Sequence, residues 1–250
     1  MKNKLLLIFT VLCCLQMFLS VPVAEDVAEE DILISGDFAY ILREDGSAEL
    51  FEYIGDSEGE EIFIPNELDG HPVMAVAANP FWQDAIHVAW YTVSVREDHP
   101  YLEVVDGVLF GKTDRMLICY PPLLYASEYS IPEGTKRICT GAFDFCTSLK
   151  TVIIPDSVSE IGDIAFYDCR NLSMLSIPDS VIRIGNLAFG NCFSLTEVSI
   201  PNSVTFIADD AFIDCSGLTV TAFEGSYAEA WCKEHGIKCT VIQNHGEYDI

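Results

Sequence analysis

Apolar, small and turn-forming positions recur with a spacing of 23 residues through the second half of the chain. Four columns consist of proline, of phenylalanine preceded by alanine, of cysteine and of leucine. They are Pro132, Pro155, Pro178 and Pro201; Phe143, Phe166, Phe189 and Phe212; Cys146, Cys169, Cys192 and Cys215; and Leu149, Leu172, Leu195 and Leu218. Because these columns recur in phase over four units, the pattern predicts a stack of repeated structural units.

Each unit contains one predicted strand. In the third unit, Leu172, Leu175 and Ile177 have the L-x-x-L-x-L spacing of a leucine-rich repeat strand. Leu175 and Ile177 alternate with Ser176, so we expect the two apolar residues to face the core and Ser176 to face outward. Pro178 cannot donate a hydrogen bond to a strand ladder and is expected to end the strand.

The apolar residues of one unit need neighbouring units to bury them. The return path of the same unit contributes Val181, Ile184, Ala188 and Phe189, and no single unit can enclose this lining. The strands around residues 152–154, 175–177 and 198–200 are therefore predicted to pair in parallel and in register. A slip of one residue would turn their apolar side chains outward.

The flanking segments have the signals of hairpins and of a helix. Residues 38–42 and 48–53 flank an Asp45-Gly46 turn, which is a signal for a hairpin. A second hairpin is predicted from residues 104–110 and 116–120. Residues 227–235 are expected to form a short helix that Gly236 ends.

The repeat IPxSVxxIGxxAFxxCxxLxxVxIP resembles the BspA-like leucine-rich repeats of surface proteins from bacteria and some protists. Further segments look like that family's N-terminal segment, interrupted repeat and C-terminal cap: residues 35–67, 106–110, 117–121 and 225–236. The resemblance implies a curved solenoid and, for some members, adhesion to host matrix, host cells or other microbes. It implies no particular ligand. Residues 73–84 depart from the pattern, with Pro80 in place of alanine and Asp84 in place of cysteine.

The predicted fold class is α/β leaning to mainly β. It is a leucine-rich-repeat solenoid with a parallel strand ladder, an N-terminal β-hairpin segment and a short C-terminal capping helix. The predicted segments are a signal peptide at 1–24, an acidic disordered segment at 25–33, N-terminal hairpins and degenerate repeats at 34–125, regular repeats at 126–222 and a cap at 223–250.

The N-terminus has the features of a secretory signal. Lys2 and Lys4 precede an apolar stretch at residues 5–19, and small residues lead to Ala24, where cleavage is expected. A secreted or cell-surface location follows. The alternative is an uncleaved membrane anchor, since about 19 apolar residues can just span a bilayer.

The formal net charge of −26 argues against nucleic acid and anionic lipid as partners. Enzyme signatures are absent from the sequence, which has no G-x-S-x-G, H-E-x-x-H, P-loop or Rossmann glycine motif. We therefore predict a monomer that is not an enzyme, with no catalytic residues, no cofactor and no resident metal.

The cysteines and the acidic columns could form disulfides or metal sites, and composition alone does not decide between these possibilities and simple structural roles. The ladder cysteines are interpreted as buried thiols whose side chains point in parallel, rather than as disulfides. Cys232, His235 and Cys239 supply only three metal ligands, so buried thiols, or a disulfide between the two cysteines, are preferred to a metal site. Glu133, Asp156 and Asp179 could chelate calcium, but solvated turn residues are the preferred interpretation, because the repulsion between them in water is too small to require an ion.

The outward face of the strand ladder is the predicted binding surface. Its residues are Glu128, Ser130, Thr151, Ile153, Met174, Ser176, Glu197 and Ser199, and the same columns would continue to Val220 and Ala222. A flat, mixed strip suits a protein partner better than a small molecule, which needs a concave pocket. The predicted function is an extracellular protein-binding or adhesion module. The alternative is a structural or scaffolding component of the cell envelope, and an enzyme is a remote third possibility.

Overall fold

The computed structural model describes residues 31–55, 61–76, 79–80 and 92–243. The predicted signal peptide lies outside the described residues, as does most of the acidic segment. The chain divides into two compact units, the first formed by residues 1–124 with 139–142 and the second by residues 125–138 with 143–250.

Over its described residues, the first unit contains ten short strands and a 3₁₀ helix at Pro122–Leu124. The strands are β1 (Leu33–Ser35), β2 (Phe38–Leu42), β3 (Ala48–Tyr53), β4 (Glu61–Ile64), β5 (Glu67–Leu68), β6 (His71–Val76), β7 (Thr92–Val95), β8 (Leu102–Val105), β9 (Val108–Gly111) and β10 (Met116–Cys119). One sheet has the order β1-β2-β3-β6-β5, and β4 pairs with β7 in parallel. Strand β1 begins at Leu33, the last residue of the segment expected to be disordered.

The hairpin predicted around Asp45-Gly46 is confirmed. Strands β2 and β3 pair antiparallel with the predicted bounds, from Leu42 opposite Ala48 to Phe38 opposite Tyr53. Gly46 has a φ of 78°, a left-handed conformation that glycine adopts without steric cost.

The second predicted hairpin is wrong in one respect. Residues 104–110 form two strands, β8 and β9, which pair antiparallel on either side of Asp106-Gly107. Both turn residues have positive φ, 51° and 82°, as a tight hairpin turn with two left-handed residues requires. With β10 paired to β9, the segment is a three-stranded antiparallel meander.

The second unit is a solenoid with two parallel ladders. The first ladder has the order β11-β13-β15-β17-β19-β20, with β11 (Glu128–Ser130), β13 (Thr151–Ile153), β15 (Met174–Ser176), β17 (Glu197–Ser199), β19 (Thr219–Phe223) and β20 (Lys238–Ile242). The second has the order β12-β14-β16-β18, with β12 (Arg137–Ile138), β14 (Glu160–Ile161), β16 (Arg183–Ile184) and β18 (Phe206–Ile207). Helix α1 (Tyr227–His235) lies between β19 and β20 in sequence.

The predicted parallel register of the first ladder is confirmed. Thr151 pairs with Met174, and Ser176 pairs with Ser199. The strands begin and end one residue earlier than predicted. Backbone bonding nevertheless continues beyond their ends, because the N–H of Ile131 donates to the carbonyl of Ile153 at 3.0 Å.

A column of stacked phenylalanine rings fills the centre of the second unit. The centroids of Phe143, Phe166, Phe189 and Phe212 are separated in turn by 4.7, 5.3 and 5.0 Å, and their planes differ by 8°, 6° and 15°. All four side chains are buried, as predicted for Phe166 and Phe189. Trp231 of α1 meets Phe212 edge-on at 5.9 Å, so the helix covers the end of the column.

The cysteine column lies beside these rings, with Cys146, Cys169 and Cys192 buried and Cys215 half-buried. The thiols of Cys169, Cys192 and Cys215 donate to the carbonyls of Phe143, Phe166 and Phe189 at 3.1, 3.2 and 3.1 Å. Burial raises the pKa of Cys215 to about 12. Each thiol is thus directed at a carbonyl rather than at the next cysteine, in agreement with the predicted parallel arrangement.

Helix α1 has a defined start and end. Ser226 accepts a hydrogen bond from the N–H of Glu229 at 3.2 Å, and the Glu229 carboxylate accepts one from the N–H of Gly225 at 2.7 Å. These bonds satisfy backbone donors that a helix start leaves unpaired. Gly236 ends the helix in a left-handed conformation with a φ of 66°, as predicted.

Candidate binding surface

The three-residue strands of the first ladder present two side chains outward and one inward. In β17, for example, Val198 is buried whereas Glu197 and Ser199 are exposed. The alternation follows from the pleat of a strand. The structure places all eight predicted binding residues on this face, seven of them exposed and Thr151 half-exposed. We call this surface the strand face.

Two large apolar side chains lie at the centre of the strand face. Ile153 is 59% exposed and Met174 is 60% exposed. They belong to neighbouring paired strands, Ile153 opposite Ser176 and Met174 opposite Thr151, so they lie diagonally across one pair of strands. Such diagonal neighbours are about 7–8 Å apart, within reach of long side chains.

Glu128 and Glu197 occupy the same column as Met174 on the outer sides of this apolar pair. Glu128 lies in β11, two strands before Met174, and pairs with Thr151 of the intervening strand. Glu197 lies in β17, one strand after Met174. At about 4.8 Å per strand, the two carboxylates are about 14 Å apart. The strand face therefore combines an apolar centre with a negatively charged, otherwise hydroxyl-rich surround.

The predicted continuation of the face to Val220 and Ala222 is wrong. Both side chains are buried, and Val220 pairs with Val198, which also faces inward. The outward positions are Thr219 and Thr221, because the last repeat has one residue fewer between Leu218 and its strand. The alternation of polar and apolar residues from Thr219 to Ala222 was the sequence signal that could have shown this shift.

Strand β20 extends both columns beyond the regular repeats. Lys238 pairs with Thr219, and Thr240 pairs with Thr221. Sequence reasoning placed this segment in the cap and did not connect it to the ladder. The columns thus run over six strands, with a lysine at one end and a glutamate at the other.

The second ladder presents a contrasting outer column that sequence reasoning missed. Arg137 and Arg183 both approach Glu160 Oε1, at 3.1 and 3.5 Å. The Arg183 guanidinium also lies 4.1 Å from the centre of the Phe206 ring. The identical spacing of these four residues was the available signal. Because their charges are engaged with one another, this column is less suited to a partner than the strand face.

The possible metal sites receive no support from geometry. His235 directs Nδ1 to the carbonyl of Trp231 at 2.9 Å and Nε2 to Asp209 at 3.4 Å, which separates it from a site with Cys232 and Cys239. Across the described residues, no group of three or more His, Cys, Asp or Glu side chains could hold a metal ion. Glu133, Asp156 and Asp179 are solvent-exposed turn residues.

Comparison with known proteins identifies the type of repeat. A family model for the BspA type leucine-rich repeat region matches residues 123–230 in six copies. The chain contains a BspA-type leucine-rich repeat region. The resemblance derived from the repeat sequence is therefore confirmed. No curated protein matches the chain.

Two solved structures share the fold at low sequence identity. The pneumococcal vaccine antigen PcpA is 19% identical with a TM-score of 0.51, over 73% of this chain and 56% of that one. A leucine-rich repeat protein from Eubacterium ventriosum ATCC 27560 is 20% identical with a TM-score of 0.54, over 70% of this chain and 49% of that one. The chain thus spans about half the length of these two proteins.

Among the described residues, no helix combines the length and apolar character needed to cross a membrane. Helix α1 has nine residues, three of which are buried.

Proposed function

We propose that the chain is a non-catalytic extracellular protein that binds a protein partner through the strand face of its BspA-type repeats. The observation behind this proposal is the exposure of Ile153 and Met174 at the centre of a regular sheet surface. Burying two large apolar side chains at a partner contributes about 1.5–3 kcal/mol each when they become fully enclosed. In the isolated chain, the exposed side chains of Ile153 and Met174 contribute no comparable free energy of burial.

The construction of the strand face favours binding. Its side chains project from strands that are hydrogen-bonded on both sides within the ladder, from β13 to β19. Such a surface loses little conformational freedom on association, which lowers the entropic cost of binding. An apolar centre with a polar surround is also the usual arrangement of interface hot spots.

Charge indicates the kind of partner. Glu128 and Glu197 flank the apolar pair, and Glu133, Asp156 and Asp179 are exposed in the turns that follow the strands. A partner with an apolar centre and basic residues around it would be complementary to this surface and would associate faster at low ionic strength.

The signal-like residues 1–24 support an extracellular location, as does the similarity of fold to PcpA, which is described as a vaccine antigen. The alternative function, a structural component of the cell envelope, predicts retention in the envelope fraction. Recovery of the chain in the culture medium favours the binding protein.

The experiment is a pull-down from host and microbial surface extracts with the purified chain and two matched variants. Ile153→Ser together with Met174→Ser should weaken capture of a specific protein at least about tenfold. Ile182→Ser is the control, since Ile182 is 52% exposed next to the second ladder, and it should bind like the wild type. Equal capture by all three chains would show that the strand face is not the binding surface.

A further inference from the structure

We propose that Cys232 and Cys239 form a disulfide bond in an oxidising environment, and that this bond ties the capping helix α1 to the last strand, β20. The inference rests on the extracellular location in the proposed function, because cytosolic reductants would keep both residues as thiols. It does not depend on the identity of the binding partner.

The fold brings the two side chains together. Cys232 lies in the last turns of α1 and is wholly buried, and Cys239 is the second residue of β20 and is half-buried. Between them, Gly236 reverses the chain, and the N–H of Ile237 donates to the carbonyl of Cys232 at 2.9 Å. Cys239 pairs with the buried Val220, so its side chain lies on the interior side of β20, where Cys232 is also buried. In addition to burial, the charge of Cys239 is close enough to raise the pKa of Cys232.

The ladder cysteines differ from this pair in their surroundings. Cys169 and Cys192 are buried by the stacked units, and each thiol donates to a backbone carbonyl of the preceding unit. Cys239, in contrast, is partly accessible to solvent on the terminal strand of the ladder. An external oxidant can therefore reach one member of the Cys232–Cys239 pair without unfolding the solenoid.

The reaction is a thiol–disulfide exchange with a disulfide oxidant such as oxidised glutathione. The Cys239 thiolate attacks the oxidant, whose S–S bond breaks, and one thiol leaves as a mixed disulfide forms. The Cys232 sulfur then loses its proton and attacks the Cys239 sulfur, which releases the second thiol. Two cysteine thiols are oxidised to one disulfide, and the oxidant is reduced to two thiols.

The second step should be the slower one. Burial, followed by the charge of Cys239, raises the pKa of Cys232 to about 12, and only the thiolate is nucleophilic. Bond formation should therefore accelerate as pH rises through the neutral and mildly alkaline range.

The bond would stabilise the end of the solenoid. Helix α1 contributes Trp231, which covers the terminal ring of the phenylalanine column. Closing the short loop between α1 and β20 restricts the conformations of the unfolded chain and so raises the free energy of unfolding. For a protein of this size, the increase corresponds to a rise in Tm of about 5 °C.

Peptide mapping tests the linkage directly. The purified full chain is equilibrated with oxidised glutathione, its remaining thiols are alkylated after unfolding, and it is cleaved after glutamate. Cleavage after Glu229, Glu234 and Glu247 isolates Cys232 in residues 230–234 and Cys239 in residues 235–247. The expected product is these two peptides joined, with the ladder cysteines alkylated. Separate alkylated peptides, or either peptide joined to a ladder cysteine, would overturn the proposal.

Thermal unfolding tests the stabilising role. The Tm of the oxidised chain should fall by about 5 °C when reductant is added, and Cys239→Ala should show no such response. Cys215→Ala is the matched control, because it removes a ladder thiol and should retain the response to reductant. A joined peptide whose reduction leaves Tm unchanged would contradict the stabilising role. Neither measurement involves a binding partner, so their failure is distinct from failure of the proposed function.

Discussion

At the residue scale, the phenylalanine column shows how one position per repeat fixes the interior of the solenoid. Phe189 lies between Phe166 and Phe212, with its ring parallel to both within 6° and 15°. Offset parallel stacking of this kind adds to the energy of burying the rings. The spacing of the column in sequence was sufficient to predict its burial, because a residue repeated in phase occupies the same environment in each turn.

Phe189→Ala should lower the free energy of unfolding by about 3–5 kcal/mol, since it removes a fully buried ring and leaves a cavity. Urea unfolding followed by circular dichroism measures the change. Phe193→Ala is the control, because Phe193 is 46% exposed. This substitution should lower the free energy of unfolding far less than Phe189→Ala. Equal destabilisation by the two substitutions would be inconsistent with the stacked core.

His99 is a residue whose role sequence reasoning did not find. It is buried in the first unit, where Nδ1 accepts the N–H groups of Tyr101 and Leu102 at 3.2 and 3.0 Å and Nε2 lies 3.2 Å from the carbonyl of Pro65. Burial lowers the pKa of His99 below its usual value of 6.5. The neutral ring fits these contacts, whereas protonated Nδ1 would lose both acceptor bonds.

The stability contributed by neutral His99 should therefore be present above about pH 6.5 and lost as pH falls below that value, where the unfolded chain takes up the proton first. Comparing urea unfolding at about pH 7.5 and pH 5, the wild type should lose more stability than His99→Gln. An equal loss in both chains would assign the pH dependence to other groups.

At the scale of elements, most of the strong local signals predicted the structure, and the weak ones did not. The Asp45-Gly46 hairpin, helix α1 and the first ladder follow from turn residues, capping and alternation. The second ladder was missed because a two-residue strand such as β14 is too short to show alternation, although its residues recur every 23 positions. The Asp106-Gly107 turn has the same Asp-Gly signal as the first hairpin, but the segment around it was assigned to one strand. The shift before β19 is visible in the sequence only as the polar-apolar alternation from Thr219 to Ala222.

Ser226→Ala should lower the free energy of unfolding by about 1 kcal/mol, because it removes the hydrogen bond at the start of α1. Chemical denaturation measures the loss, and Ser199→Ala on the exposed strand face should change stability by less than about 0.5 kcal/mol. No difference between the two variants would mean that the cap of α1 is not formed in solution.

At the scale of the whole molecule, the candidate binding residues were predictable as a group, since the outward positions of a regular ladder follow from its period. What sequence could not supply was their pairing and exposure. Ile153 and Met174 form the apolar centre only because β13 and β15 are neighbours in register. The extension of the face through Lys238 likewise depends on β20 joining the ladder.

Deleting residues 223–250 should produce insoluble or oligomeric protein. The deletion removes Trp231, which covers Phe212, and β20, which pairs with β19. An uncovered core and an unpaired strand edge both favour association between chains. Size-exclusion chromatography and thermal unfolding would detect this, and a soluble monomer with an unchanged Tm would show that the segment is dispensable.

The most direct test of binding through the strand face is photo-crosslinking to the partner recovered in the pull-down. A photoreactive benzoylphenylalanine in place of Met174 should form a covalent product with that partner, and the same residue in place of Ile182 should not. Both positions are exposed, at 60% and 52%, but Ile182 adjoins the other ladder. Crosslinking from position 182 and none from position 174 would contradict the account.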